Sequence, residues 1–162
     1  MAFVRKLMAA GLGVGLASAG AAMAAEQYMD DRSTPQALIQ SYYNAINQQN
    51  YVRAYGYFSQ GFAPKNYESW MKGYADTKSV SVQFGPTQPD PGAGQIYWAL
   101  PVAISSVSTD GKETVFAGCY EIHMTNPLMQ TDPPFQPMSI NSAKLHRSDK
   151  AIQDSVPKSC DR

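Results

Sequence analysis

From residue 34 to residue 74 the apolar positions recur at three- and four-residue spacing, and from Val80 onward they alternate. The first period belongs to helices with one apolar face, and the second to strands with one wet face. Thr34-Pro35 starts the first helix, with a hydroxyl cap followed by a proline where the missing N–H costs nothing. Leu38, Ile39, Tyr42, Tyr43 and Ile46 form its stripe. Asn50 is placed to cap a second helix with Tyr51, Ala54, Tyr55 and Phe58 on one face and Gly61 as its stop. Asn66 is placed to cap a third, presenting Tyr67, Trp70, Met71 and Tyr74. Because none of the three is apolar all round, each is expected to cover something on one side only.

The strands follow. Val80, Val82 and Phe84 alternate with serines and Gln83; residues 85–95, rich in Pro and Gly, read as a loop. Residues 96–107 form a long strand candidate, in which Pro101 predicts an edge position or a bulge. Asp110-Gly111 is a hairpin signal. Residues 114–125 form the next strand, with Phe116, Tyr120, Ile122 and Met124 on one face and Val115, Cys119, Glu121 and His123 on the other. A Pro-rich loop leads to a last strand over residues 138–147. There Ile140, Ala143 and Leu145 break alternation and predict a bulge. Helices first and antiparallel strands afterwards define an α+β domain, one sheet with helices packed on one face.

The first 24 residues change the picture in one respect. Arg5 and Lys6, an uncharged Ala/Gly/Leu run and Ala22-Met23-Ala24 follow the order of a secretory signal peptide. The expected compartment is periplasmic or secreted. The divisions that follow are 1–24 signal peptide, 25–33 flexible N-terminal segment, 34–147 folded domain and 148–162 polar C-terminal tail. Lys+Arg and Asp+Glu are 13 each in the whole chain, with no basic run or stripe, so nucleic acid and anionic membrane are not expected partners. No transmembrane segment is expected after signal cleavage. Cys119 and Cys160 are the two cysteines, and in an exported protein such a pair most simply forms one disulfide. Closing a loop of about 40 residues stabilises by roughly 4 kcal/mol on the chain-entropy argument and ties down the tail. A metal site or a reactive thiol is the rival reading, but Cys119-x-x-x-His123 on a strand is a poor chelating spacing.

The run Thr34-Pro35-Gln36-Ala37-Leu38-Ile39-Gln40-Ser41-Tyr42-Tyr43-Asn44-Ala45-Ile46, followed by Asn50-Tyr51-Val52-Arg53-Ala54-Tyr55-Gly56-Tyr57-Phe58-Ser59, resembles the opening of nuclear-transport-factor-2-like proteins, the cystatin-like cone. The helix with Trp70 and the ending Met138-Ser139-Ile140-Asn141-Ser142-Ala143-Lys144-Leu145 look similar to the same superfamily. The resemblance implies three N-terminal helices wrapped by a strongly curved antiparallel sheet of about four to five strands, with a mouth that often holds a ligand. It does not imply an activity, because such folds serve enzymes, binding modules and scaffolds alike.

Candidate chemistry is sparse. His123 and Glu121 share a strand face and could act as a base with its orienting carboxylate; Asp76, after the third helix, could face the mouth. An isomerase, dehydratase or hydrolase would use these. The bland alternative is a solvated pair on the outer face and an exposed helix-end carboxylate. No carboxylate pair, metal-ligand cluster or phosphate cradle is found in the pattern, so no cofactor or metal is expected. The aromatic stripes are the remaining signal. Tyr43, Tyr55, Trp70, Tyr74 and Tyr120 are the candidate ligand-binding residues, for a small apolar molecule or a protein partner. The leading expectation is an exported, non-enzymatic binding or scaffold domain. A homodimer through the sheet face is a further expectation.

Overall fold

Three caps set the helices. In the computed structural model, which describes residues 27–160, the Thr34 hydroxyl accepts from Ala37 N at 3.1 Å and opens α1 (Pro35–Asn47). Asn50 accepts from Arg53 N at 3.3 Å before α2 (Tyr51–Tyr55), and Asn66 from Ser69 N at 2.7 Å before α3 (Tyr67–Lys72). Each oxygen satisfies one of the N–H groups that a helix start leaves open. The segment read as a signal peptide lies outside the described residues. Among the described residues, no helix is long and apolar enough to cross a membrane.

Five antiparallel strands follow: β1 (Thr77–Phe84), β2 (Asp90–Gly92), β3 (Gln95–Ser108), β4 (Glu113–Thr125) and β5 (Ser139–Ser148). The sheet order is β1-β3-β4-β5, and β2 pairs with the same side of β3 as β1, further along. The fold is therefore α+β, three helices on one open antiparallel sheet. The Asp110-Gly111 hairpin forms as expected, with Gly111 at φ +85°. Pro101 sits at a local edge: β1 has ended at Phe84, and Gly85 N donates to the Pro101 carbonyl at 2.8 Å. In a strand the N and C=O of one residue point the same way, so the missing N–H of Pro101 faces a gap where no strand runs.

Register divides the sheet into two faces. Trp98, Leu100, Val102 and Ile104 of β3 align with Ile122, Tyr120, Gly118 and Phe116 of β4, and with α1 these form the core. The predicted parity of β4 is the observed one. The bulge lies at Asn141: Ser142 opposes Glu121 and Ile140 opposes Ile122, leaving Asn141 extra. Gly118 marks a second irregularity. A Cβ there would stand 1.9 Å from the Lys144 carbonyl oxygen, so β4 and β5 approach each other as only glycine permits.

Four expectations are corrected. Residues 27–33 are not loose. Met29 N donates to Asn44 Oδ1 at 3.0 Å, Asp31 N to Ser41 Oγ at 2.8 Å, and Arg53 Nη1 to Met29 O at 2.9 Å. The segment covers the polar side of α1, so Ser41 and Asn44 are buried and α1 is packed nearly all round rather than on one side. The second helix stops at Tyr55 with Gly56 as its cap, not at Gly61. Phe58 instead bridges Ile140 of β5 in parallel, with Ser59 N to Ile140 O at 2.9 Å and Ile140 N to Tyr57 O at 2.8 Å. Finally, the loop read over residues 85–95 contains β2.

The tail crosses the outer face. Cys119 and Cys160 form the expected disulfide, with Cα atoms 5.9 Å apart. Val156 lies over Gly85 and Pro101, and the buried Ser155 hydroxyl contacts Ser148 Oγ at 2.8 Å. Beneath this strap the outward residues Pro101 and Ala103 are fully buried.

Candidate functional site

The site grows from two adjacent tyrosines on α1. Tyr42 and Tyr43 point to different neighbours, and their rings meet edge-on at 4.8 Å. The Tyr42 hydroxyl contacts that of Tyr74, just past α3, at 2.7 Å, and the Tyr43 hydroxyl contacts that of Tyr120, on β4, at 2.7 Å. Helix, α3 region and sheet are thus joined by two hydroxyl pairs. In each pair one hydroxyl donates and the other accepts, so buried phenols partner one another across elements. Burial raises the pKa of all four: Tyr42 and Tyr43 well above the usual tyrosine value, Tyr74 and Tyr120 also upward. Neighbouring phenols add to the rise in Tyr42 and Tyr43, since two close phenolates would repel. The four remain neutral donors at any physiological pH.

Over this floor opens a cavity of about 500 Å³. Its walls are Trp70 and Tyr74 from the helical side, Val80, Ile104, Phe116 and Leu145 from the sheet, and Tyr43 below. Trp70 meets Tyr74 at 5.4 Å between ring centroids and Tyr55 at 5.3 Å, both edge-on. Of the expected ligand-binding residues, Tyr43, Trp70 and Tyr74 line the cavity, and Tyr120 lies one hydrogen bond behind Tyr43. Tyr55 does not line it. Its hydroxyl donates to the Pro64 carbonyl and its ring packs on Tyr67 at 5.1 Å, so it buttresses Trp70 from behind.

The candidate acid–base residues do not gather there. His123 and Glu121 lie on the outer sheet face, opposite to Ile122 and Tyr120. His123 Nε2 meets Gln95 Oε1 at 2.6 Å, and its ring lies 4.8 Å from that of Tyr97. Thr125 Oγ1 donates to the same Gln95 oxygen at 3.1 Å. Desolvation lowers the His123 pKa, with Glu121 opposing in part. Glu121 accepts from Asn141 Nδ2 at 3.2 Å, and Asn141 Oδ1 accepts from Ser59 Oγ at 2.6 Å. Asp76 is exposed beside the β3–β4 turn, where its carbonyl accepts from Thr109 N at 2.9 Å. It sits near the far end of β3 from His123, so the three share no common point. A second cavity of about 520 Å³, bounded by Arg32, Phe58, Phe62, His123, Gln136 and Ser139, opens outside the core. Among the described residues, no three His, Cys, Asp or Glu side chains group as metal ligands.

Two residues escaped the sequence reading. Tyr57 is fully buried, with its hydroxyl 2.8 Å from Asp30 Oδ1 and Arg32 stacked 4.3 Å from its ring; burial first, then this hydrogen bond, pushes its pKa to about 12. A 3.6-residue stripe could not find it, because the helix has already ended. Asn47 pairs with a strand: Nδ2 donates to Val80 O at 3.0 Å and Val80 N donates to Oδ1 at 2.7 Å. Its place at the end of α1, at the start of the polar run Asn47-Gln48-Gln49-Asn50, concealed this. What the fold and cavity define is an α+β domain with an aromatic mouth over a buried tyrosine floor. Comparison with protein families, with curated proteins and with solved structures finds no match for the chain.

Proposed function

We propose that the protein is an exported, non-enzymatic binding domain that holds a small apolar molecule, or an apolar side chain of a protein partner, in the mouth bounded by Trp70, Tyr74, Phe116 and Leu145. The supporting observation is the 500 Å³ cavity itself: largely apolar walls, with buried phenols at its base. Its size falls within the range that admits drug-sized ligands. The signal-like N-terminus and the disulfide support an exported protein. The resemblance to nuclear-transport-factor-2-like proteins rests on the sequence pattern and the order of helices and strands. An isomerase, dehydratase or hydrolase reading draws less support, since His123 and Glu121 lie on the sheet face opposite to the mouth and Asp76 is exposed near the other end of β3.

The test is titration with an environment-sensitive apolar dye such as Nile red. Saturable binding that weakens about tenfold or more in Trp70→Ala, while Tyr97→Ala on the outer face leaves it unchanged, is the expected result. No saturable binding, or equal loss in both variants, contradicts the reading.

A further inference from the structure

We infer that the open edge of β5, residues 142–148, takes up an extended acidic segment of a partner protein as an additional strand. An edge strand presents unpaired backbone N–H and C=O groups that another chain can use. The two edges of this sheet differ in how they are finished. On the β1 side, Asn47 meets both backbone groups of Val80, and the edge is broken between β1 and β2, with Pro91 inside β2. β5 is continuous, with neither Pro nor Gly in Ser139–Ser148.

Only its beginning is occupied. Tyr57 and Ser59 pair with Ile140 in parallel, and the chain then turns away near Gly61, at φ +84°. That short bridge shows that this edge accepts a strand. Among the described residues, no backbone group outside β4 bonds to the backbone of residues 142–148.

Charge selects the occupant. The free stretch carries Lys144, His146 and Arg147 and no acid, and all three are exposed. The acids of neighbouring β4 are engaged elsewhere, Glu121 by Asn141 and Glu113 by Ser105; Asp149 lies just beyond the strand. A second copy pairing antiparallel through the same strand would bring the Lys144 and Arg147 charges of the two copies together, which disfavours self-association. An incoming strand with carboxylates gains from the same charges. Pairing also fixes the faces: Leu145 points inward and lines the mouth, while Lys144 and His146 lie on the outer face. The fitting partner alternates acidic residues with apolar ones. The inference stands apart from the mouth reading, because a peptide probes the edge and an apolar dye probes the mouth.

The probe is a short labelled peptide in which glutamate alternates with valine, with a lysine–valine peptide as control. Expected are an anisotropy rise with the glutamate peptide only, and slowed amide hydrogen exchange over residues 142–148. Lys144→Glu combined with His146→Glu, both on the outer face, should weaken binding by at least about tenfold and restore it with the lysine peptide, leaving dye binding at the mouth intact. Lack of binding, equal binding of both peptides, or protection elsewhere would overturn the inference. So would protection of residues 142–148 that rises with protein concentration alone, which would assign the edge to a second copy.

Discussion

At the scale of single residues, buried phenols tie α1 to its neighbours. Tyr43 and Tyr120 are each almost free of solvent, and each hydroxyl has the other as partner. Removing one hydroxyl strands the other in a dry place, which costs about 1–2 kcal/mol, whereas removing both deletes the problem. Tyr43→Phe and Tyr120→Phe are therefore expected to destabilise singly by about that amount, with the double variant costing clearly less than the sum. Additive losses in chemical denaturation would refute the pairing. The raised pKa values give a second prediction at this scale. Above the ordinary tyrosine value of 10, the unfolded chain releases protons that the folded state keeps on Tyr42, Tyr43, Tyr74 and Tyr120. Stability contributed by these groups is whole below pH 10 and falls as pH climbs towards the raised values. Phenolate absorbance should show exposed tyrosines ionising first and the buried group only as the protein unfolds. A single titration at the ordinary value would contradict the burial.

At the scale of elements, the local signals proved sufficient for caps and faces and insufficient for ends and partners. Thr34, Asn50 and Asn66 cap the helices because a short polar side chain ahead of an apolar stripe has few other uses. The parity of Phe116, Tyr120, Ile122 and Met124 was legible because β4 is wet on its other face near His123 and Glu121. The end of α2 was not legible: Tyr57 and Phe58 leave the helix to meet Ile140, a contact across some eighty positions that no window of sequence contains. The separation of Tyr55 from the mouth was hidden too, because it depends on Pro64, in the turn before α3, presenting its carbonyl to the hydroxyl. Gly118 did carry a sequence signal, a glycine inside a strand pattern. Gly118→Ala is expected to destabilise by at least about 2–3 kcal/mol, since its methyl group would collide with Lys144 backbone. An unchanged thermal midpoint would show that β4 and β5 can separate there without cost.

For the whole molecule, two stretches that the periodicity leaves out complete the packing. Residues 27–33 close the polar side of α1, and the tail from Ser148 to Cys160 straps the outer face over Pro101 and Ala103. The disulfide was readable because only two cysteines were present; the path of the tail between Ser148 and Cys160 was not, being set by Ser155 and Val156. Replacing both cysteines by alanine is expected to lower stability by about 2–4 kcal/mol, given the sequence separation of 41, and to raise amide exchange across β3 beneath the strap. Unaltered exchange there would mean the tail packs without its bond. The mouth, by contrast, is walled by residues the aromatic stripes pointed to, Tyr43, Trp70 and Tyr74, joined by Ile104, Phe116 and Leu145 from strands.

The central claim, that this mouth is where the protein binds, is tested most directly by a chemical-shift map of the isotope-labelled protein during titration with an apolar probe. The account predicts the largest changes at Trp70, Tyr74, Ile104, Phe116 and Leu145, with residues beneath the strap unmoved. Saturable changes confined to the outer cavity near His123 and Phe62, or none at all, would contradict it.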